Sequence, residues 1–176
     1  MTSSKREWVD WIKAIIMAFV FAVLIRTFVL TPIVVEGPSM LPNLLDGDQL
    51  LVNKLSYQLG KPERFDIIVF HATRDRDYIK RVIGLPGEHI AFRDNVLYVN
   101  GKPVEEPFNH EVTYDFSLED ISGNYSRIPE DHVLVLGDNR TNSTDSRNIG
   151  LVSFEQIVGE AKLIYWPLNR IRYIPY

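Results

Sequence analysis

The chain has 176 residues, 45% of them hydrophobic and 24% charged, which suits one ordinary globular domain. It contains no cysteine, so disulfides, thiolate metal sites and a cysteine nucleophile are excluded. The formal charge of -4 is unevenly spread: residues 1–31 hold Lys5, Arg6, Lys13 and Arg26 against Glu7 and Asp10, so the remainder is more acidic than the whole. A phosphate-binding surface shows the opposite bias, and nucleic acid is not an expected partner.

Ile12 to Leu30 is the one stretch that suits a bilayer span. As a helix it reaches roughly 28 Å, close to the hydrocarbon thickness of about 30 Å. Lys13 at one end can snorkel, and Arg26 near the other must snorkel or find a partner. The uncharged core from Ala14 to Ile25 also suits a signal-peptide core or an interfacial helix. Three features favour a retained anchor. Trp8 and Trp11 sit where an aromatic belt lies, no small-x-small pattern follows the apolar core, and Pro32 is expected to end the helix. A buried amphipathic helix is disfavoured because the segment has almost no polar face. Lys5, Arg6 and Lys13 flank the start while residues 31–50 carry no Lys or Arg. The expected topology is therefore single-pass: residues 1–11 cytoplasmic, 12–30 in the membrane, 31–176 extracytoplasmic.

Beyond Pro32 the pattern changes to short β-type runs between turn residues. Expected strands are Ile33–Glu36, Gln49–Asn53, Asp66–His71, Tyr78–Ile83, His89–Phe92, Val96–Val99, Val133–Leu136 and Glu160–Tyr165. Asp94-Asn95 and Asn100-Gly101 are tight-turn pairs, so Glu88 to Val104 reads as a β-meander. Phe154–Val158 suits one helical turn, and residues 105–128 read as a long surface excursion. The fold class is mainly antiparallel β, barrel-like, behind one N-terminal transmembrane helix.

His71, His89, His110 and His132 are scattered, without metal-ligand spacing, so no metal or cofactor is expected. A serine–histidine–carboxylate triad needs no sequence proximity and stays open. Ser39 in Gly37-Pro38-Ser39-Met40-Leu41 lacks the second glycine of the G-x-S-x-G elbow, and Pro42 blocks the helix expected after it. Three segments concentrate chemistry: Glu36 to Pro42, Tyr78 to Gly87, and Gly137 to Arg147. Alone, each has a bland reading as a Gly/Pro turn, an edge-strand lysine and an Asx-rich loop. A tethered, non-catalytic β module for an envelope partner also remains open.

Taken together, the three segments resemble the bacterial type I signal peptidase (leader peptidase) family, in its short single-anchor form. The resemblance rests on Ser39-Met40-Leu41-Pro42, on Tyr78 through Gly87 as Y-x-K-R-x-x-G-x-P-G, and on Gly137 through Arg147 as G-D-N-R…S-x-D-S-R, with Gly47-Asp48 and Val52-Asn53-Lys54 between them. It covers most of the chain except residues 105–128. The family differs from other serine–lysine proteases, such as self-cleaving repressors, which carry a different domain in front.

The resemblance implies a catalytic β-domain outside the bacterial cell membrane that cuts signal peptides from secreted precursors, with those precursors and membrane lipid as partners. By motif position, Ser39 is the nucleophile and Lys80 the general base. Ser143 orients Lys80, Asp145 and Arg147 form a supporting ion pair, and Asp138 helps to fix the same loop. Ile33, Val35, Met40, Leu44 and Ile79 fall around the pockets for two small substrate residues. Where some members have an oxyanion-hole serine two residues before the nucleophile, this chain has Gly37.

The chemistry requires a neutral lysine, because only an uncharged amine accepts the serine proton. From the ordinary lysine pKa of about 10.4, neutralising it at pH 7 costs roughly 4.6 kcal/mol, within the range that burial can offset. Tyr78, Val82 and the surroundings of Met40 are the expected dry setting. Strand parity places Arg81 on the other face of the strand, where its charge is expected to stay solvated.

Overall fold

The structure, a computed structural model, describes residues 3–174, with side chains for all of these except residues 3–6 and 58–59. Lys5 and Arg6, on which the expected orientation partly rests, lie outside the described side chains. Helix α1 spans Ser3–Phe28, and its Glu7–Phe28 portion is long and apolar enough to cross a membrane, with none of it buried against the rest of the chain. The helix ends earlier than expected. Strand β1 is Leu30–Val34, so Pro32 sits within a strand rather than stopping a helix. Proline is tolerated there because β1 is an edge strand, with Pro32 opposite Leu51 on its one neighbour.

Further strands are β2 (Gln49–Asn53), β3 (Ile67–Thr73), β4 (Arg76–Gly84), β5 (Ile90–Arg93), β6 (Val96–Val99), β7 (Lys102–Val104) and β8 (Phe116–Ser117). They are followed by β9 (His132–Leu136), β10 (Val152–Ser153), β11 (Ile157–Trp166) and β12 (Arg172–Tyr173). Two one-turn helices, α2 (Ser56–Leu59) and α3 (Ser146–Ile149), interrupt them, and Phe154–Gln156 forms the expected turn as 3-10 helix. Every pairing is antiparallel. The larger sheet runs β1-β2-β11-β3-β4-β9-β10 with β12 added to β11, and the smaller runs β7-β6-β5-β8. Neither sheet closes among the described residues, so the barrel-like expectation gives way to two open sheets.

Asp94, Asn95, Asn100 and Gly101 all have positive φ, which makes the two hairpin turns of the smaller sheet. Residues 105–128 are not a loose excursion. Leu118, Ile121 and Ile128 are buried with Ile83, Ile90, Phe92, Leu97 and Leu134, and Phe108 and Phe116 pack against them. These side chains carry no regular period because the segment follows the smaller sheet as irregular backbone, and so pattern reading misses their burial.

The remaining core lies on the two faces of β4. Ile79 packs against a cluster containing Val35, Met40, Leu44, Val52, Ile67 and Val69. Tyr78 and Val82 join Ile68, Phe70, Val133 and Val135 on the other side. The turn that follows β1 and carries Ser39 therefore rests on one packed layer while the lysine strand is backed by another, which holds both in place.

Candidate active site

After Val34 the chain makes a turn that is pinned at several points. Gly37 adopts φ +84°, a left-handed conformation unfavourable for side chains, and its N–H donates to Asp46 Oδ1 at 2.8 Å. Leu41 N–H donates to Pro38 O at 3.1 Å and Leu44 N–H to Met40 O at 2.9 Å, while the Met40 and Leu44 side chains are buried. Ser39 O accepts from Asn139 N–H at 3.1 Å, and Asn139 Nδ2 donates to Pro38 O at 3.1 Å. The serine is thus held from both sides with its hydroxyl directed at β4.

There it meets Lys80. The Lys80 Nζ lies 2.8 Å from Ser39 Oγ and donates to Ile79 O at 2.9 Å. Lys80 is only 4% exposed, with its amine 5.2 Å from the centroid of the Tyr78 ring. Burial pushes its pKa down to about 8, against the opposing pull of the Asp145 and Asp138 carboxylates. At pH 7 about one unit then separates the amine from neutrality, or about 1.4 kcal/mol, far less than an exposed lysine requires.

The loop after β9 supplies the buttress. Gly137 is required by close approach: a Cβ there falls 2.3 Å from Ser143 Oγ and 2.5 Å from Ser39 O. Asp145 caps α3, accepting from Gly137 N–H at 3.0 Å and from Arg147 Nε and Nη2 at 2.8 and 2.7 Å. Asp145 and Arg147 thus form an ion pair. Asp138 accepts both Nε and Nη2 of Arg81 at 2.8 Å, and Asn43 Nδ2 at 2.7 Å.

Two expectations need correction. Arg81 is not solvated. It lies on the opposite face from Lys80 but is 1% exposed, because that face is covered by the Asp138 loop and by the Phe108 ring, 3.8 Å from the guanidinium carbon. Ser143 Oγ makes no hydrogen bond to Lys80; it is buried without a partner among the described residues, while the Lys80 amine uses Ile79 O instead.

A cleft of about 830 Å³ opens over Ser39 and Lys80, lined in part by Ile33, Val35, Met40, Ile79, Asn142 and Thr144. Leu44 does not line it. It packs in the core with Met40 and borders a separate cavity of about 470 Å³. Sequence reasoning assigned no role to Asn43, Glu106, Asn139 or Arg140. Arg140 donates to Gly137 O, Thr113 Oγ1 and Glu106 Oε1 at 2.9, 2.7 and 2.6 Å, bracing the loop from below. Asn139 and Arg140 stand inside the G-D-N-R motif, which was the available signal. Asn43 and Glu106 carry none, since their contacts reach far along the chain.

The model of the family "Signal peptidase, peptidase S26" matches residues 8–166. The chain belongs to this signal peptidase family. Its relatives in that family include signal peptidase I of Bacillus caldolyticus, 46% identical over 177 residues that cover 96% of this chain and 94% of that protein. Signal peptidase IB of Staphylococcus aureus is 39% identical over 181 residues, covering 96% and 95%. A crystal structure of a signal peptidase I from Enterococcus faecalis, at 40% identity, matches with a TM-score of 0.52 and covers 57% of this chain and 96% of that one. As a member of the S26 signal peptidases the chain is a serine protease, a hydrolase of peptide bonds.

Proposed function

We propose that the chain is a membrane-anchored endopeptidase that removes signal peptides from precursor proteins by a Ser39–Lys80 dyad. The observation that carries this is the 2.8 Å contact between Lys80 Nζ and Ser39 Oγ, with an amine so buried that its pKa falls to about 8. In the neutral form the amine lone pair accepts the Ser39 proton as Oγ bonds to the scissile carbonyl carbon. The protonated Lys80 then donates to the leaving amine, releasing the mature chain and leaving the signal peptide as an ester on Ser39. Water, deprotonated by Lys80, attacks that ester and restores the serine.

The tetrahedral oxygen is held in part by the Ser39 N–H, which has no protein acceptor among the described residues. Gly37 N–H cannot serve in its present place, being taken up by Asp46. Ser143, Asp145, Arg147 and Asp138 support the dyad by fixing the loop that presses on Ser39. Ser143 acts through close packing against Gly137 in the resting state rather than by a bond to the amine.

Specificity follows from the cleft walls. Ile33, Val35, Met40 and Ile79 line the cleft with apolar side chains, and a wall too close for large residues would select small ones by exclusion, which supports cleavage after a small-x-small motif. β1 is a free edge, and β9 pairs with β4 only from Arg81 onward, so the backbone of residues 76–80 is open on that side too. An extended substrate lying between these edges finds donors and acceptors on both sides. The anchor is α1, with residues 31–176 extracytoplasmic by the positive-inside bias, and tethering raises the effective concentration of membrane-embedded substrates.

Mass-spectrometric mapping of the cut in a precursor ending Ala-x-Ala tests the reading. The wild-type chain is expected to cut after the second alanine, and Ser39→Ala and Lys80→Ala each to abolish turnover. Retained turnover in either variant contradicts the dyad.

A further inference from the structure

The junction between the anchor and the catalytic domain is unusually short. α1 ends at Phe28 and β1 begins at Leu30, so Val29 alone separates them. A helix leaves its last carbonyls without intrahelical partners, and any that lie at the edge of the hydrocarbon region are costly to leave unpaired. Here Val29 N–H closes onto Ile25 O at 2.8 Å. The next two contacts come from one residue of another element. Lys54, just beyond β2, donates its backbone N–H to Val29 O at 2.9 Å and its Nζ to Thr27 O at 3.2 Å. A cation at a helix C-terminus also meets the negative end of the macrodipole.

Two attachment points define a direction where one leaves a hinge. The backbone bond at Val29 ties the chain to β2. The side-chain bond at Thr27 reaches back onto the helix itself and fixes its angle to the sheet. From the same junction β1 runs directly along the cleft, and five residues after its last one, Val34, comes Ser39. Anchor, edge strand and nucleophile turn are therefore one continuous piece, whose orientation to the bilayer depends on how firmly α1 is held.

We propose that Lys54 is a positioning residue that locks the anchor to the β1–β2 edge and so sets how far Ser39 stands from the membrane. This rests on the peptidase reading above and deepens it. The apolar part of a signal peptide occupies the same bilayer as α1, so the extended residues between it and the scissile bond must span the distance to Ser39. Each such residue adds about 3.3 Å. With α1 held at two points, that distance is a ruler for substrate length; with Lys54 unable to reach Thr27, the domain swings about Val29 and the ruler blurs.

The test uses the full chain in vesicles of phosphatidylglycerol and phosphatidylethanolamine, as wild type, Lys54→Met and Lys54→Arg. One substrate is a soluble peptide ending Ala-x-Ala. The others are membrane-inserted precursors that share an apolar segment and vary the spacer before the cut from about three to nine residues. The expected result is that kcat/KM on the soluble peptide stays within about twofold in all three. Lys54→Met should cut the optimal-length precursor about tenfold more slowly and broaden the length optimum, because misplacement of the reacting groups is costly, while Lys54→Arg keeps the wild-type profile. An unchanged length profile in Lys54→Met overturns the proposal, as does an equal loss on peptide and precursor, which marks mere structural support. A wild-type chain that cuts neither substrate overturns the peptidase reading, and the ruler with it.

Discussion

Lys80 carries a conflict between stability and function. Its folded-state pKa, about 8, lies below the ordinary lysine value of 10.5, so the folded chain binds the proton less well than the unfolded chain does. Stability therefore rises with pH between about 8 and 10.5, and below that window the buried ammonium is a standing penalty of about 3 kcal/mol. Lys80→Met should consequently be inactive yet more stable than wild type at pH 7 by up to that amount, measured by denaturant unfolding. Equal or lower stability would mean the amine is not desolvated. At the cleft wall, Ile79→Ala should weaken discrimination between alanine and leucine before the cut by about tenfold, read from competing peptides. Ser39, Lys80, Asp145 and Arg147 were legible as candidates because each stands in a dense motif. The surroundings of Arg81 were not. Alternation tells which face a side chain leaves by, but not that a loop 57 residues later covers that face.

Elements show the same division. The strands that appear as short apolar runs bounded by turn residues, such as Gln49–Asn53 and Val96–Val99, occur where they were expected, because β-branched and aromatic residues between turns mark a strand locally. β8, β10 and β12 are each two residues long and exist only by pairing with a neighbour, which no local pattern records. The loop after β9 packs against the Ser39 turn, and its link to β4 is a buried ion pair. Removing one partner of such a pair leaves an uncompensated charge, at a cost of about 3–5 kcal/mol. Arg81→Met should therefore lower stability by that order and loosen the loop. In Asp138→Asn the amide still accepts from the guanidinium but leaves a buried cation unbalanced, and it should lose stability to a similar extent. Denaturation of both variants in detergent checks this, and a loss under about 1 kcal/mol in either would show that the pair does not hold the loop. Gly137→Ala should impair turnover, because its Cβ displaces either Ser143 or the Ser39 carbonyl. Wild-type kcat in that variant would show that the loop gives way freely.

For the whole molecule, an acidic, cysteine-free domain behind an apolar helix narrows the class, and three linked motifs narrow it to one family. Pro32, expected as the helix stop, sits inside edge strand β1 instead, because proline is also tolerated at a sheet edge and only the pairing with β2 decides between the two. The proposed function requires the intact chain to present one neutral amine to one hydroxyl beside the bilayer. The most direct measurement is the pH dependence of kcat/KM for the full chain on a soluble Ala-x-Ala peptide, which reports the free enzyme's base. A neutral-lysine base predicts a rate that falls about tenfold per pH unit below a single inflection near pH 8 and is level above it. An inflection near 6.5, as for a histidine, or one above 10, as for a solvated lysine, would contradict it.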